Sequence, residues 1–375
     1  MRIGFDAKRA FNNYSGLGNY SRYVISNICR FYPENEYFLY TPGIADEGLF
    51  RVPDGVAIRK PAGEIWQKSG SLWRSFRLAS RLNKDAVELY HGLSNELPFG
   101  IQKGPVRSVI TVHDLIFLAN PELYQSINRK IYERKVRYGT RTATRIIAAS
   151  EQTKQDLIRF LKVEESRIRV VYQGCQSRFY SQVSEDSKKM IRSKFSLPGE
   201  YLLYVGTIEE RKNLLKIVQS LHHGKIQVPL VVVGRKTAYF KLVQEYIEQN
   251  RLPHIYFLDH VQASDLPAIY QGSAGFIYPS SYEGFGIPVL EALNSGIPVI
   301  TSRGGCLEET AGKGGILIDP DDQEEMIHAI RQILEKSTLR DSLIREGGAH
   351  ALKFREEQTI PSLYNVYLEC MHDGS

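Results

Sequence analysis

Two doubly wound α/β domains in tandem are the architecture this sequence predicts, and three observations predict it. Short runs of β-branched and aromatic residues alternate with helical segments along the chain, the pattern of parallel strands joined by crossover helices. The alternation loses its regularity once, near residues 170–179, passes through a polar stretch at 181–187, and then resumes. A length of 375 residues, 42% of them hydrophobic, is enough for two separate cores.

The first series opens with a strand at 2–5, a glycine-containing loop, and a helix over about 19–31. Strands follow at 37–40 and 56–59, then a helix around 72–82 and strands at 87–90 and 109–112. A basic helix spans 127–144 and a strand returns at 145–149, after which Ser150 caps a helix carrying Thr153 and Asp156 in its early turns. The second series places strands at 201–205, 230–233, 255–258, 274–278, 299–301 and 315–318, with helices between them. Residues 360–371 carry Ile360, Leu363, Tyr364, Val366 and Tyr367, the spacing of an amphipathic helix. The expected domains are therefore 1–180 and 190–355, followed by a helix over 358–375.

Composition narrows the class. Cys29, Cys175, Cys306 and Cys370 are far apart, with no zinc or redox spacing, and read as buried thiols of a reducing compartment. Arg2, Asp6, Lys8 and Arg9 argue against a secretory leader at the start of the chain. The longest apolar run, residues 229–234, fits a buried strand and falls far short of a membrane span. A cytoplasmic protein is expected. The net charge of +6 is modest, yet Lys130, Arg134, Arg137, Arg141 and Arg145 recur at helical spacing. Arg74, Arg77, Arg81 and Lys84 do the same beside Trp66, Trp73 and Phe76. Such faces suit anionic headgroups at the inner membrane surface or a lipid-pyrophosphate acceptor, and equally suit ordinary solvated helices. No nucleic-acid-binding module accompanies the charge.

The chemistry concentrates in residues 280–292, Ser-Ser-Tyr-Glu-Gly-Phe-Gly-Ile-Pro-Val-Leu-Glu-Ala. Gly284 and Gly286 let a ligand approach the backbone, with Phe285 between them, and Ile287-Pro288 opens a helix. The free N–H groups of that first turn favour an anion such as a pyrophosphate. Glu283 before the turn and Glu291, read as lying in the helix's first turn, can accept hydrogen bonds from sugar hydroxyls. Upstream, the strand ending at Val205 leads through Gly206 and Thr207 to Arg211, Lys212 and Asn213 before a helix. Ligands bind at such strand ends, and two cations there can neutralise a departing diphosphate.

These segments resemble the signature of the retaining GT-B glycosyltransferases of family 4, and the resemblance runs over nearly the whole chain. It implies the GT-B fold, two Rossmann-like domains facing across a cleft, with the final helix crossing back onto the first. It further implies that Glu283 contacts the transferred sugar, Glu291 the donor ribose, and Arg211 and Lys212 the phosphates. Here the arginine and lysine are adjacent, where other members space them apart. The Gly16–Gly18 loop after the first strand is similar to the one that closes over donor phosphates in the family. The histidine of Val112-His113-Asp114 is placed beside the sugar on the same resemblance; His91, at the analogous position after another strand, suits the acceptor side and equally a structural role. Val261, in Asp259-His260-Val261, falls near the nucleobase, although many relatives have a glycine where this chain has Asp259.

Asp319-Pro320-Asp321-Asp322 has the D-x-D spacing of metal-dependent transferases, but turn and cap chemistry accounts for it, and no metal is expected. The expected activity is retaining transfer of a hexose from a nucleotide sugar, GDP-mannose first, to a saccharide or lipid-linked acceptor. The Arg-Lys-Asn form and the 72–74 region look like mannosyltransferases of polysaccharide assembly. Two alternatives stand beside it: a nucleotide-sugar epimerase of the same fold, and a non-catalytic adaptor at a membrane surface.

Overall fold

A computed structural model describes residues 1–63, 66 and 69–372. The chain divides into two compact units, one formed by Met1–Gly174 together with the segment from Glu356 on, the other by Cys175–Arg355.

The first unit is built on a parallel sheet of β1 (Arg2–Asp6), β2 (Glu36–Tyr40), β3 (Ala57–Arg59), β4 (Leu89–Gly92), β5 (Arg107–Val112), β6 (Arg145–Ala148) and β7 (Ile168–Val170). Their order across the sheet is β3-β2-β1-β4-β5-β6-β7, so the winding reverses between β1 and β4. Alternate residues serve opposite faces. Ile3, Phe5, Leu39 and Val109 pack under Val24, Ile25 and Ile28 of the Gly16–Phe31 helix and under Ile360, Leu363, Val366 and Tyr367 of the final helix, Glu356–His372. Phe38, Tyr40, Tyr90 and Ile110 meet Trp73, Leu78, Leu82 and Val136 on the other face.

The second unit carries β8 (Leu202–Val205), β9 (Leu230–Val233), β10 (Ile255–Leu258), β11 (Gly275–Tyr278), β12 (Val299–Ser302) and β13 (Gly315–Ile318). They lie in the order β10-β9-β8-β11-β12-β13, again parallel, with the reversal between β8 and β11. β8, β9, β11 and β12 are apolar and almost wholly buried, as strands covered on both faces must be.

Three local features differ from the sequence reading. The first long helix begins at Gly16, and a short helix, Lys8–Asn12, precedes it, so Gly16 and Gly18 are helical rather than part of a loop. A Cβ on Gly18 would lie 1.9 Å from the Asn13 carbonyl oxygen, which makes that glycine a packing requirement. The helix around 72–82 breaks at Arg77 into Gly70–Phe76 and Leu78–Lys84. The expected basic face there does not form as a free surface. Arg74 is buried against Asp6 and Glu96, Arg81 pairs with Asp85, and Arg77 lies over the Trp66 ring. Finally, residues 168–170, for which no strand is expected and which end where the loss of regularity at 170–179 begins, form the edge strand β7.

Candidate active site

In the second unit the carboxyl ends of β8 and β11 stand side by side at the reversal of winding, where open α/β sheets hold ligands. Beyond β8, Gly206 donates its N–H to the Val233 carbonyl, and the Ile208–Lys236 bridge prolongs the pairing. A single turn, Glu210–Lys212, then ends in Asn213, whose left-handed φ of 56° swings the chain into the Leu214–His223 helix. The Asn213 side chain donates to the Pro279 carbonyl at 2.8 Å, and the Ser281 N–H donates to the Arg211 carbonyl at 2.9 Å. These bonds tie the turn to the segment after β11.

The side chains meet there. Arg211 Nη1 is 2.7 Å from Glu283 Oε1, Arg211 Nη2 is 2.6 Å from Glu209 Oε1, and the same guanidinium donates to the Tyr282 carbonyl. Lys212 Nζ donates to the Tyr278 hydroxyl at 2.7 Å and lies 3.6 Å from Glu283 Oε1. Tyr278 in turn donates to Glu283 Oε1 at 2.8 Å. Burial pushes the Glu283 carboxyl up, but Lys212 and Arg211, with the Tyr278 hydrogen bond, outweigh it and hold it below the ordinary range. Burial and the adjacent Glu283 charge push the Tyr278 phenol well above its ordinary value. Glu283 is therefore an ionised acceptor, and two cations stand beside it.

Gly286 has a φ of 110°, and a Cβ there would lie 2.7 Å from Leu307 Cδ2. It caps the Ile287–Asn294 helix, with Pro288 in the first turn. Val289 and Leu290 donate to the Gly286 carbonyl, whereas the Ile287 N–H has no backbone acceptor among the described residues. Phe285 points into the core, edge-on to Phe354 with ring centroids 5.4 Å apart, so its side chain is structural. Glu291 sits in the second turn of that helix, not the first, because the helix starts at Ile287. Its partner is Tyr270, which donates to Oε2 at 3.0 Å, rather than a member of the Arg211–Lys212–Glu283 cluster. Burial pushes the Glu291 carboxyl up to about 7, against the pull of the Tyr270 hydrogen bond and Arg178.

The remaining glycine and loop positions are placed as follows. A Cβ on Gly206 would come within 3.2 Å of the Tyr278 ring and 3.4 Å of Lys212 Nζ. The Thr207 carbonyl accepts from the Tyr204 hydroxyl at 3.2 Å. Val261 follows β10, two strands from the β8–β11 reversal, after His260 at a φ of 57°. Asp259 beside it is paired with Lys236 at 2.9 Å. Asp322 caps the Gln323–Glu335 helix and Asp319 accepts from the Asp321 N–H, turn and cap roles both. Among the described residues no group of three His, Cys, Asp or Glu is arranged to hold a metal.

Both histidines belong to the first unit and are committed there. The His113 ring is buried, with Nε2 2.8 Å from the Leu93 carbonyl and Nδ1 3.1 Å from Gln173 Nε2. A carbonyl can only accept, so Nε2 carries the proton and Nδ1 takes one from the Gln173 amide. Burial pushes this imidazole down to about 4. His91 is sealed in the core between Tyr367 at 2.7 Å and Thr111 at 2.8 Å, and burial pushes it down to about 3. Its ring is part of the packing, not an acceptor-side contact. Tyr278, Tyr270 and Gln173 are the partners sequence reasoning missed. A tyrosine ending β11 immediately before Pro279-Ser280 was the available signal for the first.

Comparison with known proteins places the chain in a family. Residues 22–177 match the profile described as Glycosyltransferase Family 4, and residues 186–350 that of Glycosyl transferases group 1. The O-antigen chain mannosyltransferase B of Escherichia coli is 28% identical over 285 residues, 74% of this chain and 74% of that protein. The serotype-specific mannosyltransferase WbdA of Escherichia coli is 30% identical over 262 residues, 66% of this chain but only 31% of that longer protein. Among solved structures, HepE of Anabaena in complex with UDP superposes with a TM-score of 0.75 at 17% identity, covering 98% of this chain and 100% of its own. The sucrose-phosphate synthase of Thermosynechococcus elongatus gives 0.77 at 18% identity and full coverage of both chains. With both halves matched and two Rossmann-like sheets in the observed strand orders, the chain belongs to the group 1, family 4 glycosyltransferases of the GT-B fold.

Proposed function

We propose that the protein transfers a mannosyl residue from GDP-mannose to a hydroxyl of a saccharide or lipid-linked saccharide, with retention at the anomeric carbon and without a metal ion. The observation that carries this reading is the Arg211–Lys212–Tyr278–Glu283 cluster at the β8–β11 reversal. The bond from the anomeric carbon to the diphosphate oxygen breaks, and its electron pair leaves with the phosphate. Arg211 and Lys212 meet that developing charge, work that a metal ion performs in other transferases. The acceptor oxygen forms the new bond and its proton passes to the departing phosphate. Glu283, held ionised, accepts hydroxyl hydrogen bonds and orients the sugar, and Glu291 does the same for the ribose. The names of the similar O-antigen proteins support mannose over other hexoses.

A peripheral contact with an anionic membrane surface fits one face of the first unit. Lys130, Arg134 and Arg141 line a hollow of about 460 Å³ with Phe99 and Tyr138, and exposed Phe76 stacks on Phe99. No helix among the described residues is long and apolar enough to cross a membrane.

The test is a melting-temperature panel of GDP-mannose, UDP-glucose and UDP-galactose, followed by transfer assays with the best binder in EDTA and NMR assignment of the product anomer. GDP-mannose stabilisation, EDTA-insensitive transfer and an α-linked product are expected. Preference for a uridine donor, or an inverted product, overturns the corresponding part of the reading.

A further inference from the structure

The backbone pairing of β11 with β12 stops at Tyr278 and Thr301, and Pro279, next in the chain, has no N–H to continue it. Side chains take over from there. Thr301 Oγ1 donates to the Tyr278 carbonyl at 2.8 Å and Ser302 Oγ to the Ser280 carbonyl at 2.7 Å. Cys306 Sγ donates to the Glu283 carbonyl at 3.1 Å, and Thr310 Oγ1 to the Phe285 carbonyl at 2.7 Å. All four donors are buried. Residues 301–310 thus brace residues 278–285, which carry Tyr278 and Glu283, from end to end.

The last two rungs hold the glycine turn. Cys306 and Thr310 stand four apart in the Gly305–Ala311 helix and so share one face of it. The Thr310 hydroxyl has a second carbonyl in reach, that of Cys306 at 2.9 Å. That is the i−4 carbonyl, which an α-helix already serves with a backbone N–H, so the hydroxyl proton is left for Phe285. In a trans peptide the C=O of one residue and the N–H of the next point opposite ways. The Ser280–Ser281 peptide shows the effect: Ser302 takes its carbonyl, and its N–H reaches the Arg211 carbonyl at 2.9 Å. By the same geometry Thr310 turns the Gly286 N–H away from the Gly305–Ala311 helix, and Cys306 fixes the peptide plane that follows Glu283. Among the described residues the Gly286 N–H, like that of Ile287, has no backbone acceptor.

We propose that Cys306 and Thr310 are positioning residues with separate roles: the thiol sets Glu283 toward the sugar of the donor, and the hydroxyl aims the Gly286 N–H at its diphosphate. The ligand in this statement rests on the glycosyl-transfer reading, whereas the brace rests on the four hydrogen bonds alone. Each side chain acts through a backbone carbonyl and not on the substrate. A contact that only stiffened the turn would affect sugar and diphosphate together; two carbonyls held separately give separate losses.

The wild-type full chain is compared with Thr310→Val, Thr310→Ser, Cys306→Ala and Cys306→Ser. Hydrogen exchange without ligand, calorimetry with GDP and with UDP, and GDP release from GDP-mannose are the readouts, with melting temperatures recorded for every variant. Valine keeps the shape of threonine and removes its donor, while serine keeps a donor at either position. Thr310→Val weakens nucleotide binding about tenfold, the loss expected of one hydrogen bond to a charged group. Cys306→Ala lowers GDP release from GDP-mannose about tenfold and keeps nucleotide affinity within about twofold, the mark of an interaction absent from simple binding. Both serine variants stay near the wild type. Exchange of the 283–287 amides rises in the valine and alanine variants, and that of the β11 and β12 amides does not. Unchanged exchange overturns the brace. Raised exchange with wild-type affinity and turnover overturns the positioning roles, and equal losses of both readouts in both variants overturn their division. Serine variants that fail like the others, at the wild-type melting temperature, overturn hydrogen bonding as the basis. A wild type that binds neither nucleotide and releases no GDP counts against the transfer reading, and the exchange measurement then decides the brace by itself.

Discussion

Lys212 and Glu283 are joined through one phenol. The Tyr278 hydroxyl accepts from Lys212 Nζ at 2.7 Å and donates to Glu283 Oε1 at 2.8 Å, so it fixes a cation and an anion at once. A hydrogen bond to a charged group contributes roughly 1.5–3 kcal/mol. Tyr278→Phe keeps the ring and removes both bonds. Its kcat should fall by about 10- to 100-fold, with the chain still folded by circular dichroism. Wild-type turnover in the variant would show that the relay holds nothing the reaction uses.

Lys212→Ala should lower kcat by roughly 10²–10³, the size of effect expected when a charge partner of the transition state is lost. Single-turnover transfer from GDP-mannose measures it, and equal rates would remove Lys212 from the mechanism.

Arg211 differs from Lys212 in where its loss is felt. It bridges Glu209 and Glu283 and has little exposure, so Arg211→Ala takes from the buried Glu283 one of its two cations, while Glu209 can turn to solvent. Breaking a buried pair from one side costs about 3–5 kcal/mol. Urea denaturation should show that loss in the second unit, and the double variant Arg211→Ala/Glu283→Gln should recover part of it. A stability change below about 1 kcal/mol would mean the pair is solvated.

Glu291 and the two buried histidines of the first unit should contribute to the pH dependence with opposite signs. Glu291 is an acid whose folded value, about 7, lies above the ordinary 4.5. Between those values the folded state keeps a proton that the unfolded chain has released, so the Glu291 contribution fades as pH rises from 4.5 to about 7. His91 and His113 are bases pushed down to about 3 and about 4 from 6.5, so their contribution fades as pH falls below 6.5. Glu291→Gln should flatten the first slope and His91→Gln part of the second, in melting temperatures recorded from pH 4 to 8. Unchanged slopes would contradict the burial of these groups.

Gly286→Ala should destabilise the chain by about 1–3 kcal/mol, since it meets both a left-handed φ and Leu307 Cδ2. Thermal unfolding checks it, and a loss confined to donor affinity would instead point to ligand approach as the glycine's reason.

The strands of the second unit were legible because fully buried parallel strands are written as uninterrupted apolar runs, such as Leu230–Val233. The Glu283 and Arg211–Lys212 segments were legible because a glycine turn and a helix start have local chemistry. What could not be read was the identity of partners distant in sequence. Tyr278 and Lys212 are 66 residues apart, and Glu291 meets Tyr270 across 21. The basic pattern at 74–84 misled for the same reason, because Asp6 and Glu96 bury Arg74 from elsewhere in the chain. Gly16 and Gly18 were read as a loop because glycine disfavours helices, yet the Asn13 carbonyl leaves no room for a side chain at Gly18.

The final helix has a consequence for synthesis. It closes the first unit, with Tyr364 stacked on Tyr32 and Tyr367 bonded to His91, yet it follows the whole of the second unit in the chain. A nascent polypeptide thus exposes an unfinished hydrophobic face on the first unit until the ribosome has passed the whole of the second. The later-encoded unit is continuous and can complete its core first. Premature termination only slightly upstream would release a product with that face uncovered, an aggregation-prone species that chaperones and proteases would have to clear.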